Sequence, residues 1–136
     1  MVGVVVVTHG RLAEELIKTA EFIVGRFEAI KGLCIDPVSS SEEVREQIKS
    51  AIKMVDKGQG VLILTDMFGG TPSNISLSFL EPGKVEVISG VNMPMLLKLA
   101  APNRKTIGLV ELAATVTAAA HSSITLASEI LNKEVK

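Results

Sequence analysis

The chain has no tryptophan, no tyrosine, four phenylalanines and one cysteine in 136 residues. An aromatic fraction of 3% leaves the core to Val, Ile, Leu and Ala, an aliphatic filling that suits a parallel sheet covered by helices. With Cys34 alone no internal disulfide is possible, and its setting, Leu33-Cys34-Ile35, reads as a small buried hydrophobe rather than a catalytic thiol. There is no basic excess. The formal charge is −1 with basic residues scattered, which leaves no footprint for nucleic acid. No apolar run reaches the roughly 20 residues of a membrane helix. The opening apolar run lacks a basic leader and a cleavage signature, so it reads as a core strand of a soluble, cytoplasmic protein rather than a signal peptide.

The length fits one domain with one core. Val2-Gly3-Val4-Val5-Val6-Val7 is apolar without alternation, the pattern of a strand buried on both faces, and it runs into Thr8-His9-Gly10. Arg11–Val24 follows with helical spacing and stops at Gly25. Ala29–Ile35 reads as a second strand interrupted by Gly32. Ser41, followed by Glu42 and Glu43, supplies an N-cap for a second helix ending near Val55. Gly60–Thr65 is a third strand, and a third helix starts at Thr71 or Pro72 and ends before Glu81. Lys84–Ser89 is a fourth strand, and a fourth helix runs from Pro94 to about Ala101. From Ile107 the pattern is helical in two pieces. Between them, Ala118–Ala120 and Ser122–Thr125 leave either helix or a short added strand open. The alternation predicts an α/β fold: a doubly wound, mainly parallel sheet with helices on both faces, a three-layer sandwich.

Polar clusters close three of the predicted strands: Thr8-His9-Gly10, Asp66 to Asn74, and Ser89 to Asn92. In a doubly wound sheet the first and third strands can meet at the switch point, where ligands bind. His9 and Asp66 would then face each other. A carboxylate that accepts from Nδ1–H fixes the tautomer and leaves Nε2 as a nucleophile. Gly69-Gly70-Thr71, ahead of a helix, offers backbone N–H groups and a hydroxyl to an anion. Together these describe phosphoryl transfer to histidine without a cofactor or metal. Singly, each signal is weak. Asp66 alone caps a turn, and Gly69-Gly70 matches neither the P-loop nor the dinucleotide fingerprint. His121, in an Ala/Ser-rich stretch, reads as a surface or cap histidine.

Taken in order, strand–Thr-His-Gly–helix, Asp-Met-Phe-Gly-Gly-Thr-Pro-Ser-Asn and Gly-Val-Asn-Met-Pro-Met-Leu resemble the IIA component of the mannose-class phosphoenolpyruvate:sugar phosphotransferase system. The resemblance spans nearly the whole chain. It implies a doubly wound α/β fold and a cytoplasmic homodimer that relays phosphate. His9 matches the histidine that accepts phosphate from phospho-HPr and passes it to the IIB component, with the membrane IIC and IID components acting downstream. Asp66 matches the carboxylate that holds the imidazole, and Gly69, Gly70 and Thr71 line the phosphate site. Asn92 matches the pocket rim. Family dimers exchange a C-terminal segment. The sequence stops at Lys136 without an Ala/Pro/Lys-rich linker or a IIB domain, so a single free-standing IIA domain over 1–136 is expected. Two other readings remain open: a relay serving a regulator or a dihydroxyacetone kinase, and a non-catalytic flavodoxin-like module that binds a phosphorylated ligand at Gly69-Gly70-Thr71.

Overall fold

The computed structural model describes residues 1–135. Its elements run β1 (Gly3–His9), α1 (Leu12–Val24), β2 (Ile30–Ile35), α2 (Ser41–Val55), β3 (Val61–Thr65), α3 (Thr71–Leu77), β4 (Val85–Ser89), α4 (Met93–Leu99), α5 (Leu109–Ser122) and α6 (Ala127–Val135). The described strands form one parallel sheet in the order β2-β1-β3-β4. The valine run of β1 lies at its centre. Val4 and Val6 face a layer built from α1, α4 and α5, where they meet Ala13, Ala20, Leu96 and Leu112. Val5 and Val7 face α2 and α3, where they meet Val44, Ile48 and Ile75. Leu62 and Ile63 of β3 divide between the two sides in the same way. The unbroken apolar pattern thus has its expected cause: side chains of successive residues point to opposite faces, and both faces are covered.

Several boundaries differ from the sequence reading, each for a local reason. His9 belongs to β1 rather than to the following turn, because it pairs with Ile35 and Gly10 N–H donates to the Ile35 carbonyl. Gly32 does not interrupt β2. A Cβ there would lie 2.9 Å from Ile17 Cδ1, so the missing side chain lets α1 press onto the strand. The cap of α2 is Ser40, not Ser41: its hydroxyl accepts from Glu43 N–H at 3.1 Å. Helix α3 ends at Leu77, where the bonding tightens to i→i−3 (Ser78 N–H to Ile75 O, Phe79 N–H to Ser76 O) and the Ser78 hydroxyl donates to Ile75 O. Helix α4 begins at Met93 and ends at Leu99, ahead of a 3₁₀ turn over Pro102–Lys105. Ala118–Ala120 lie within α5, and no strand forms after β4 among the described residues, so β4 is a sheet edge there. Lys136 lies outside the described residues.

The opposite end of the sheet is held by Arg104, which is 3% exposed. Its Nε and Nη2 donate to Val2 O, Nη1 to Glu28 O, and Nη2 also to Ala29 O, at 2.8–3.1 Å. Burial lowers the pKa of this guanidinium, and nearby Glu28 opposes the shift. The clamp braces Ala29, whose φ of 51° places a non-glycine residue in the left-handed region. Removing the clamp leaves the buried Val2 carbonyl without either guanidinium donor and takes the guanidinium bonds from Glu28 and Ala29, so Arg104→Ala should lower the unfolding free energy by about 3 kcal/mol. Urea denaturation at neutral pH measures this; a change within about 0.5 kcal/mol, the range of an ordinary surface substitution, would show that the clamp does not hold the fold.

Candidate active site

The site forms where β1 and β3 end side by side. Val7 is the last residue of β1 paired with β3, opposite Thr65, so Thr8-His9, still paired with β2, and Asp66, just past β3, come side by side. Asp66 Oδ2 accepts from both the His9 backbone N–H at 3.0 Å and Nδ1 at 2.8 Å. Its Oδ1 accepts from Met67 N–H at 3.0 Å. Burial raises the Asp66 carboxyl, but the side-chain and backbone hydrogen bonds from His9, the attraction of a protonated ring and a backbone hydrogen bond at Asp66 itself outweigh it, and the carboxyl is held below its ordinary value. Asp66 is therefore an ionised, acceptor-only group at neutral pH. Facing an acceptor-only oxygen, Nδ1 must carry a proton, and Nε2 is the ring nitrogen turned away from the carboxylate. The His9 side chain is 52% exposed, against 14% for Asp66. The carboxylate is half-buried beneath an imidazole open to solvent.

Two further elements confine the ring. Thr8 is fully buried, and its hydroxyl accepts from Ala13 N–H at 2.7 Å, capping α1 across the His9-Gly10-Arg11 turn. Arg11 makes no side-chain cap there and instead pairs with Glu14. On the other side, a Cβ on Gly70 would lie 2.7 Å from His9 Cε1 and 3.2 Å from Nε2. The α-carbon of Gly70 is thus a wall of the imidazole slot. The Asn74 amide donates back to Gly69 O at 3.2 Å and fixes the glycine pair.

Of the residues singled out from sequence, His9, Asp66 and Gly70 come together. Gly69 lies beside them in the loop, and Thr71 opens α3 with its side chain exposed. Asn92 does not bond to the histidine: its side-chain oxygen accepts from Met95 N–H at 3.0 Å and caps α4. His121 is exposed in the last turn of α5, and Cys34 packs, half-buried, against the core. Thr8 and Asn74 stood in the polar clusters read from sequence, but without the roles the structure gives them, the cap of α1 and the tie to Gly69. Among the described residues no three His, Cys, Asp or Glu side chains gather as a metal site, and no helix is long and apolar enough to cross a membrane.

A family model described as the phosphotransferase-system fructose IIA component, of the mannose-type EIIA family, matches residues 3–117. The mannose-specific EIIAB component of Escherichia coli K12 is 37% identical over 98 residues, covering 71% of this chain and 30% of that protein. The chain therefore spans under a third of that relative's length. The fructose-specific EIIA component of Bacillus subtilis 168 is 28% identical over 134 residues, 98% of this chain and 91% of that protein. A crystal structure of the phosphotransferase component EIIA from Streptococcus agalactiae superposes with a TM-score of 0.85 at 26% identity, covering 95% of this chain and 99% of that one. The IIA protein associated with the fucose utilization operon of Streptococcus pneumoniae gives 0.80 at 29% identity, covering 95% of each chain. With a family match that runs from β1 into α5, this chain belongs to the mannose-type IIA family of the phosphoenolpyruvate:sugar phosphotransferase system.

Proposed function

We propose that the chain is a phosphohistidine carrier: Nε2 of His9 accepts a phosphoryl group from phospho-HPr and passes it to a IIB component for sugar uptake. The observation that carries this reading is the double acceptance by Asp66 Oδ2, which keeps a proton on Nδ1 and leaves Nε2 as the ring nitrogen free to attack. In the transfer, the Nε2–P bond forms as the donor's N–P bond breaks, and that bond pair returns to the donor nitrogen. The Nδ1 proton stays on His9. The ring gains positive charge as the bond forms, and the adjacent carboxylate stabilises it. Backbone N–H groups around Gly69, Gly70 and Thr71, which open a helix, stand ready for the phosphoryl oxygens. The ring's exposure supports exchange between proteins, since a docked partner supplies the second wall and excludes water. Met67 and Phe68, exposed beside the site, give that partner an apolar surface. In this reading the protein works in the cytoplasm, as a homodimer, upstream of the membrane IIC and IID components.

The test is intact-mass spectrometry after incubation with phosphoenolpyruvate, enzyme I and HPr. The expected result is one acid-labile phosphate mapped to His9. Reversible binding of a phosphorylated small molecule without a covalent adduct would favour the non-catalytic module instead. A second expectation concerns the slot. Gly70→Ala places a methyl carbon against Cε1, so the ring must turn off its line with Asp66. Phosphorylation should slow by about 10²-fold, with little change in melting temperature because φ at Gly70 is an ordinary −84°. Wild-type kinetics in that variant would remove Gly70 from the site.

A further inference from the structure

Beneath the site lies a group of hydroxyls that the transfer chemistry does not use. Thr65, the last residue of β3, and Ser73, in the first turn of α3, have no exposed surface. Between them sits Ser89, the last residue of β4 and the register partner of Thr65. The Thr65 hydroxyl donates to Ser89 Oγ at 3.1 Å, and the Ser89 and Ser73 hydroxyls are bonded at 3.3 Å. The Thr65 carbonyl also accepts from both Gly90 and Val91 N–H at 2.9 Å, which holds the end of β4 against β3. Ser89 is therefore a junction of three elements: the end of β3, the end of β4 and the start of α3.

Both branches from this junction end at the imidazole. Along one, Thr65 is followed by Asp66, whose Oδ2 takes both His9 donors. Along the other, Ser73 lies three residues beyond Gly70, whose α-carbon faces His9 Cε1. The ring is held between these two walls, and the slot width is the distance from the end of β3 to the start of α3. Apolar packing alone fixes that distance poorly. Helix α3 has seven residues, and its buried positions are Pro72, Ser73, Ile75 and Ser76. Two of those are serines, so Ile75 is its one buried branched aliphatic anchor. A directional polar link sets an axial position that so small an apolar face leaves loose.

We propose that Ser89 is a positioning residue for phosphoryl transfer: its hydroxyl pins the first turn of α3 to the end of β3 and so sets the slot that aligns His9 between Asp66 and Gly70. The transfer arm of this inference rests on His9 being the phosphoryl acceptor; the alignment arm does not. Both are measured on Ser89→Ala, on Thr65→Val, which keeps shape but loses the donor, and on Ser89→Thr, which keeps the hydroxyl. The first readout is the His9 Nδ1–H resonance in ¹H–¹⁵N spectra of the unphosphorylated protein. It should move and broaden in Ser89→Ala and Thr65→Val and return in Ser89→Thr. The second is phosphorylation by phospho-HPr. Here kcat should fall about tenfold in the first two variants, with KM unchanged because the alignment of the ring, not the docking of the donor, is what the hydroxyl sets, and Ser89→Thr should recover it. A variant that melts lower but keeps the wild-type Nδ1–H signal and kcat would overturn the proposal, as would a loss that Ser89→Thr does not reverse. If Ser89→Ala fails to fold, Thr65→Val decides alone. Absence of phosphorylation in the wild type would defeat the phosphocarrier reading, while the Nδ1–H signal would still decide whether Ser89 aligns the ring.

Discussion

His9→Ala should abolish acid-labile labelling by phosphoenolpyruvate, enzyme I and HPr while leaving the fold intact. Phosphorylation needs a ring nitrogen held still in front of the donor phosphorus, and of the two histidines only His9 has its ring bonded to a carboxylate among the described residues. His121 is exposed on α5, with no carboxylate bonded to its ring among the described residues, so neither its tautomer nor its orientation is set. His121→Ala is therefore expected to label as wild type. Loss of fold is not a route to the His9 result. The ring is half exposed, the His9 backbone N–H still reaches Asp66 Oδ2, and the strand pairing of His9 with Ile35 is a backbone feature. Circular dichroism should be unchanged. Persistent label in His9→Ala would place the acceptor elsewhere and end the proposed mechanism.

The central strand was legible because nothing but a two-sided burial explains an unbroken valine run, and the glycine that stops α1 was legible because its N–H closes on Glu21 O. The meeting of His9 with Asp66 followed from topology rather than from spacing: it needed β1 and β3 to be neighbours, which a doubly wound sheet supplies at its switch point. What sequence could not carry was the exact path of the chain and the side-chain contacts that path makes. Ser40 and Ser41 are equally good caps on paper, and only the chain path selects the first. Gly70 reads as a donor of backbone N–H, whereas its second property, the absence of a Cβ against the imidazole, appears only once α3 is placed. Arg104 reads as one scattered cation; its bonds to Val2 and Ala29 span most of the chain. Ser89 and Thr65 look like ordinary strand-end residues until β4 lies beside β3.

Asp66→Asn should slow phosphorylation of His9 by about 10² to 10³-fold and leave the protein folded. Counting acceptors shows which part of the site is lost. The carboxylate offers Oδ2 to two His9 donors and Oδ1 to Met67 N–H. An amide has one oxygen. If that oxygen takes the Oδ2 place, both His9 bonds and the productive tautomer survive, and the Met67 bond is lost as N–H faces N–H. If the amide flips, its NH₂ meets both His9 donors, and the tautomer is wrong. The first arrangement is favoured, so the loss is not that of a reversed tautomer. It is the loss of a negative charge 2.8 Å from a ring that becomes cationic as the Nε2–P bond forms. The same charge gives the pH signature. The folded Asp66 pKa lies below 3.8, so its contribution to stability is complete above the ordinary carboxylate range and is lost as pH falls through the folded value. Acid unfolding of the wild type should carry that loss, and Asp66→Asn should lack it. Single-turnover phosphorylation and acid titration of the two proteins measure both effects. Wild-type rates in Asp66→Asn would reduce Asp66 to a turn cap, with the ring confined by Gly70 alone.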